Sequence, residues 1–434
     1  MKRRYLIVGI VALGLVVLGS WLVRSPDDDG YVEQSLDSGS ASAELLERGR
    51  VLTRLANCHA CHTVRGGEPF AGGRAIPTSF GTFYSPNITP DAETGIGRWT
   101  ERDFWRALHL GYSRDGSLLY PVFPYPSFTK ITQEDSRAIW EYLKTVKPVS
   151  HRSSPHTLES PYKYRALLRV WRALYFREGV FEPDATKSAA WNRGAYLAEG
   201  VAHCDLCHVA RNDMGAAQSS PDARGGDVLE WYAPALNRPE EAGLRNWSAE
   251  SIVDLLQNGR TTSEPAHQAA TLGPMAEVVY ESVQHAPRAD IEAIATYLKA
   301  LPEAASASSS RDRTPPRPAT LAPILDRGRK VYEDRCATCH GDAGEGRPPA
   351  TLALASNRSV TMDPAVNVIR VVLYGGYSPG TAGNPQPFGM PPFAQDLSDD
   401  QIADVMNFIR TSWRNDGALV TPDQVFRERT GPLW

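Results

Sequence analysis

The chain has 434 residues, about three ordinary domains' worth, with 42% hydrophobic and 22% charged residues. That composition excludes a disordered chain, a fibre and a polytopic membrane protein. Forty-six Lys and Arg stand against 50 Asp and Glu, a formal charge of -4, so no basic excess exists to neutralise a phosphate backbone and nucleic acid is excluded as a partner. The 35 glycines and 33 prolines predict many turns and long loops between short helices.

The first element is a membrane-targeting segment. Lys2, Arg3 and Arg4 precede an uncharged run of 19 residues from Tyr5 to Val23, closed by Trp21 and Arg24. A cleaved signal has an apolar stretch of about 7–15 residues and a small-x-small cleavage site. This run is longer, lacks an Ala-x-Ala site and approaches the ~20 residues that span a bilayer, so it reads as an uncleaved anchor. Positive charge stays in the cytoplasm, which puts everything after Arg24 on the outer face, the periplasmic side of a bacterial inner membrane. No later apolar run is long enough to span.

All six cysteines fall in three groups of one form: Cys58-His59-Ala60-Cys61-His62, Cys204-Asp205-Leu206-Cys207-His208 and Cys336-Ala337-Thr338-Cys339-His340. Cys-x-x-Cys-His is the attachment site of c-type haem. The two thiols add to the porphyrin vinyl groups, and the adjacent histidine becomes the proximal iron ligand. The competing readings are weak. Zinc needs four ligands, and these pairs lie more than a hundred residues apart. A redox dithiol would sit in a βαβ pattern that none of the three displays. The expected cofactors are therefore three covalently bound haems c, held by Cys58, Cys61, Cys204, Cys207, Cys336 and Cys339, with His62, His208 and His340 on iron.

The surroundings repeat as well. Upstream of each motif a helical stretch begins Arg-Gly, at Arg48-Gly49, Arg193-Gly194 and Arg327-Gly328. Downstream comes an apolar-periodic helix with an aromatic near its middle: Arg137 to Val146 with Trp140 and Tyr142, Ile291 to Leu301 with Tyr297, and Gln401 to Trp413 with Phe408. A small residue in the first helix lets the aromatic of the last pack close. Between them, residues 97–111 and 245–259 share a Trp, a Thr or Ser suited to N-cap a helix, an apolar stripe and a closing Gly, a pattern kept only in part from Val368 to Gly375.

The expected fold is mostly α: three tandem class I cytochrome c domains behind one N-terminal transmembrane helix. The boundaries are 1–24 for the membrane anchor or signal, 43–150, 188–303 and 320–415 for the domains, 151–187 for a connector, 304–319 for a flexible linker and 416–434 for a polar tail. Within the connector, Tyr162 to Phe176 is basic and amphipathic. Such a segment suits a membrane surface, a partner subunit or packing on the first domain.

A haem iron held by one histidine has a second axial position, usually filled by methionine in electron-transfer cytochromes. Met275 stands 67 residues beyond His208 and Met390 stands 50 beyond His340, both in Pro/Gly-rich segments expected to be irregular backbone passing over the haem face. Met362 and Met406 read as core residues. The first domain has no methionine from residue 2 to 213 and carries Phe123 at the equivalent place. Its haem is either five-coordinate or takes another ligand, with His109, Lys130 and His151 as candidates. His109, at the end of an amphipathic helix, is expected to make an exposed cap contact.

By these motifs the chain resembles the triple-haem cytochrome c subunits of membrane-bound bacterial dehydrogenases, including those of quinoprotein alcohol dehydrogenases and flavoprotein gluconate, sorbitol and fructose dehydrogenases. The resemblance covers roughly residues 43–415. Besides the haem motifs it rests on Ser85-Pro86-Asn87-Ile88-Thr89-Pro90 with Gly95-Ile96-Gly97-Arg98-Trp99, on Leu119-Tyr120-Pro121 to Pro124-Tyr125-Pro126-Ser127, on Gly273-Pro274-Met275-Ala276-Glu277-Val278-Val279 and on Phe388-Gly389-Met390-Pro391. The family often has methionine where Phe123 stands. It implies a subunit that takes electrons from a catalytic dehydrogenase chain, of quinoprotein, flavoprotein or molybdenum type, and passes them to ubiquinone or a terminal oxidase. No acid, base or nucleophile motif is present, so the chain is not expected to act on organic substrates itself. The alternative is a haem enzyme, peroxidase-like or sulfur-oxidising, using an open first haem.

Overall fold

The computed structural model describes residues 30–33, 41–218, 224–261, 268–304, 318–348 and 350–430. The chain divides into two compact units. One holds the described residues up to Arg50 together with Ala71–Phe181, and the other holds Val51–Phe70 and the described residues from Glu182 onward. Both are mostly helical. All three Cys-x-x-Cys-His motifs lie in the second unit. Among the described residues no helix is long and apolar enough to cross a membrane, and the expected anchor, residues 1–24, lies outside them.

The main helices are α1 (Ala43–Leu55), α2 (Glu101–Leu110), α3 (Gln133–Thr145), α4 (Leu167–Tyr175), α5 (Ala189–Ala195), α6 (Ala249–Asn258), α7 (Gly273–Glu281), α8 (Arg288–Lys299), α9 (Pro318–Arg335), α10 (Val366–Tyr374), α11 (Asp399–Thr411) and α12 (Pro422–Thr430). Their ends follow local chemistry. Thr100 caps α2 through the Asp103 amide while the Asp103 carboxylate accepts from the Thr100 amide, and Ser398 and Gln401 repeat this reciprocal arrangement at α11. Gly111 and Gly259 close α2 and α6 in the left-handed region, at φ 67° and 73°.

One packing contact occurs three times. A methyl group built on Gly49 would lie 1.9 Å from the Ala138 carbonyl oxygen, on Gly194 2.0 Å from that of Ala293, and on Gly328 2.1 Å from that of Asp404. Each glycine also abuts the Cβ of the aromatic one turn on: Tyr142, Tyr297 or Phe408. Helices α1 and α3, α5 and α8, and α9 and α11 thus touch backbone to backbone, which only glycine permits. The arginine before each glycine ties the same crossing from outside, with Arg48 on Asp135 at 2.6 Å, Arg193 on Asp290 at 2.8 Å and Arg327 on Asp404 at 2.6 Å.

Sheet is minor. In the first unit β1 (Ala75–Thr78), β2 (Gly81–Tyr84) and β3 (Thr157–Leu158) form an antiparallel sheet, with Ala75 opposite Tyr84 and Gly81 opposite Leu158. Phe83 from this sheet joins Leu110, Tyr112, Leu118, Tyr120 and Leu168 in the core. In the second unit β4 (Gly226–Val228) pairs with β5 (Trp231–Ala233), and β6 (Gly376–Tyr377) with β7 (Gly389–Met390). The segment expected as a polar tail folds in part: Thr421 caps α12, which buries Val425 against Ile369, Leu373 and Met406.

Candidate haem-binding site

Each motif forms one helical turn. The amide of the terminal histidine donates to the carbonyl of the first cysteine in all three, His62 to Cys58 at 2.9 Å, His208 to Cys204 at 3.0 Å and His340 to Cys336 at 3.0 Å. That closure brings the first thiol and the imidazole onto neighbouring positions of one turn, as a ligand attached by both requires. All six cysteines are free thiols, with Cys61 and Cys339 exposed. Burial pushes the Cys58 and Cys204 thiols up to about 12, and Cys207 and Cys336 to about 11, so they stay protonated at neutral pH.

The histidines carry the decisive orientation. His208 Nδ1 lies 2.6 Å from the Pro234 carbonyl, which can only accept, so Nδ1 holds the proton and Nε2 keeps its lone pair for a metal. His340 Nδ1 is buried without a well-formed hydrogen bond, and the Leu352 carbonyl is the polar group facing it. Burial lowers the pKa of both rings, keeping them neutral. Neutral imidazoles beside paired thiols fit covalent haem. Among the described residues no three His, Cys, Asp or Glu side chains converge to hold a bare metal ion.

The methionines sit on regular backbone rather than irregular loops. Met275 lies in the first turn of α7, because Pro274 has a φ already suited to a helix start. Met390 ends β7, and Gly375 passes so close that an added Cβ would be 2.2 Å from the Met390 carbonyl. Both side chains are half-buried, as are the three motif histidines. The β4–β5 hairpin braces both sides of the second site: Pro234, just beyond it, orients His208, and the Trp231 ring packs on Gly273, two residues before Met275. Met362 and Met406 are buried in the core, as their sequence surroundings imply.

His109 departs from expectation. It is buried, not an exposed cap, because its ring stacks on Trp105 one turn back at 4.3 Å and 15°. Its Nδ1 lies 3.4 Å from Thr129 Oγ1. Lys130 is half-buried and His151 exposed, while Phe123 meets the Phe128 ring edge-on at 5.5 Å.

Sequence reasoning missed the contacts that join the first motif to the second. Glu281, at the end of α7, accepts from His59 Nδ1 at 2.8 Å and from Arg54 at 3.3 Å. Ser282 donates to the Leu55 carbonyl at 3.1 Å, and the His203 ring reaches the Ala56 carbonyl at 3.3 Å. A charge on the Cys61 thiol would raise the pKa of Cys207, so the two lie close. No local pattern marks hydrogen bonds across 147 to 227 residues.

Repeated motif turns, neutral oriented histidines and helices crossing on glycine define a c-type cytochrome. Residues 46–147 and 325–413 match the cytochrome c family model. The chain is 36% identical over 404 residues to the cytochrome c subunit of the quinone alcohol dehydrogenase of Gluconobacter oxydans, covering 90% of this chain and 83% of that one. It is 36% identical over 400 residues to the gluconate 2-dehydrogenase cytochrome c subunit of Pantoea cypripedii, covering 89% of each. It is also 41% identical over 378 residues to a nicotinate dehydrogenase chain of Pseudomonas putida, covering 86% of this chain but only 30% of that protein. The chain belongs to the family of cytochrome c subunits of dehydrogenases, which transfer electrons and are not the catalytic chains. The haem-enzyme alternative finds no support among these relatives.

Proposed function

We propose that this chain carries electrons from a catalytic dehydrogenase subunit to ubiquinone or a terminal oxidase, on three covalent haems c at the periplasmic face of the inner membrane. The observation that carries the proposal is the threefold recurrence of a Cys-x-x-Cys-His turn following a helix whose glycine crosses a second helix backbone to backbone. Covalent haem, when bound, supplies one-electron iron chemistry with a potential set by its axial ligands and burial.

The chain's own groups do the rest. His62, His208 and His340 would hold iron from one side, with Met275 and Met390 as the second ligands in the latter two segments. The Pro234 carbonyl fixes the His208 tautomer, so the ring needs no proton transfer when the iron changes charge. Glu281, Arg54, His59 and His203 hold the first motif against the second, which favours electron exchange between those two haems. The partner chain is of quinoprotein, flavoprotein or molybdenum type, in keeping with the alcohol, gluconate and nicotinate dehydrogenases among the relatives.

A pyridine haemochrome assay on membrane-derived protein should give three covalent haems per chain, and copurification should bring down a dehydrogenase subunit. One haem per chain, or zinc in place of iron, overturns the reading.

A further inference from the structure

Helix α4 has one broad apolar side, only part of which is buried. Leu168 and Trp171 turn inward, followed by Phe176, and are 8%, 7% and 8% exposed. Along the adjoining edge of that side Leu167, Val170 and Leu174, spaced three and four apart, are 48%, 48% and 59% exposed. Tyr164 and Tyr175 stand exposed at the two ends of this stripe, and Lys163 and Arg177 lie exposed just beyond them. The helix is pinned to its unit rather than hanging free. Arg165 donates to the Leu118 carbonyl at 2.6 Å, and Arg172 donates to the Leu110 carbonyl while covering the Tyr112, Tyr125 and Phe176 rings. The apolar stripe is thus a fixed surface, and a contiguous exposed patch of this kind marks an interaction site.

We infer that this stripe lies in the membrane–water interface, docked on an anionic lipid surface as a second attachment beside the N-terminal anchor. The inference rests on the reading of residues 5–23 as that anchor. Only the six residues Arg24 to Asp29 separate the apolar run from Gly30. Fully extended, they reach about 20 Å. Val32 exchanges hydrogen bonds of 3.1 and 2.6 Å with the Gln133 side chain, and Tyr31 lies beside Glu101 at the start of α2. Helix α4 is held at the other end of α2, which has ten residues and a length of about 15 Å. The stripe is therefore kept within reach of the bilayer. In that position leucine and valine would dip into the acyl boundary, while the exposed Tyr164, Tyr175, Lys163 and Arg177 around them would meet headgroups and lipid phosphates. A nine-residue helix binds weakly alone, but a tethered chain needs only a modest second contact.

The test uses the full haem-loaded chain in nanodiscs containing phosphatidylglycerol. Because haem attachment consumes the six native thiols, Val170→Cys introduces a single site for a nitroxide, and Ala12→Cys and Met214→Cys serve as references. The label at residue 170 should lose collisions with a water-soluble nickel chelate and gain collisions with oxygen, while residue 214 stays aqueous. A second label, introduced by Ala173→Cys, should be shielded in the same way. Combining it with Leu167→Glu, Val170→Glu and Leu174→Glu should return it to water without loss of haem. If residue 12 is immersed and residue 170 remains aqueous, the docking inference fails and the anchor reading stands. If residue 12 is aqueous, the anchor reading itself fails. If residue 170 is shielded only in the copurified dehydrogenase complex in detergent, the stripe is a protein interface and the inference is overturned.

Discussion

The helix crossings and the distal segments of this cytochrome obey different rules. The three crossings share their contacts: glycine on carbonyl, aromatic Cβ alongside, arginine on aspartate. The distal segments share nothing but their place before the last helix. One offers Phe123 ahead of a short turn of helix, one offers Met275 on the first turn of α7, and one offers Met390 on a two-residue strand. Backbone touching backbone leaves no room for variation. Delivering one sulfur atom, as proposed for Met275 and Met390, would constrain a side chain and leave the backbone free.

The approach to each motif lies between these extremes. Cys58 follows Gly49 by nine positions, Cys204 follows Gly194 by ten, and Cys336 follows Gly328 by eight. In the third case α9 runs to Arg335 and meets Cys336 directly. The first absorbs its extra residue with Asn57 in the left-handed region, and the second combines a widened turn over Tyr196–Val201 with His203 at φ 41°. Fixed ends and a variable count force these local distortions.

The most damaging change should fall on a crossing. Gly328→Val would place a branched side chain where even a methyl lies 2.1 Å from a carbonyl oxygen, so α9 and α11 must separate. We expect a loss at the upper end of the ~1–3 kcal/mol typical of overpacking, or more, with a fall in haem content. Denaturant unfolding and haem content measure both, and wild-type stability would erase the contrast between crossings and distal segments. Distal changes should spare the fold. Met275→Ala and Met390→Ala should each abolish one thioether–iron charge-transfer band and lower one potential, with the unfolding midpoint nearly unchanged. A variant that unfolds instead would show the distal methionines to be structural.

How far the fold can be read from sequence follows the same division. The crossings announce themselves, since Arg-Gly ahead of each motif and an aromatic in each last helix are repeated local patterns. The last helices begin a few residues earlier than their apolar stripe suggests, because capping at Thr132 and Ser398 starts them in polar sequence. The backbone under Met275 is helical where its glycine and proline suggest a loop, although Pro274 is itself a helix-start signal. A two-residue strand such as β7 has no alternation to detect. His109 stands at a helix end, where solvation is the ordinary outcome, and its partner Trp105 one turn back buries it. The clamp of His59 and Arg54 on Glu281 is invisible locally, because its partners are 222 and 227 residues apart.

Acid should act through buried histidines before it reaches the crossings. Burial lowers the pKa of His156 and His203, neither of which is a proposed iron ligand. A histidine kept neutral in the folded state leaves the unfolded chain binding more protons, so its stabilisation is present above about pH 6.5 and is lost as pH falls below it. Each contributes at most about 1.4 kcal/mol per pH unit. Urea unfolding at pH 7.5 and 5.5 should show the decline. His156→Gln should shrink it, since that ring accepts the Tyr84 amide at 3.2 Å in its neutral form. A flat profile would mean that these rings admit protons while folded.

The smallest effects should come from the arginines that flank the crossings, and their ranking tests whether the three are equivalent. Exposed ion pairs contribute about 0–1 kcal/mol, because two solvated side chains gain little by meeting. The partners differ in burial: the side chain of Asp135 is 2% exposed, Asp290 16% and Asp404 10%. Removing Arg48 strips its guanidinium from the most buried of these carboxylates, so Arg48→Ala should cost more than Arg193→Ala or Arg327→Ala. The third pair is offset along its helix. Asp290 lies three residues before the carbonyl that meets its glycine, as Asp135 does, whereas Asp404 is itself the residue of that carbonyl, Gln401 being occupied with the cap of α11. A double-mutant cycle on each pair, read by unfolding midpoint, should therefore give its largest coupling at Arg48 and Asp135. Equal couplings at all three would mean that the glycine contact alone holds the crossing and the aspartate's burial adds nothing.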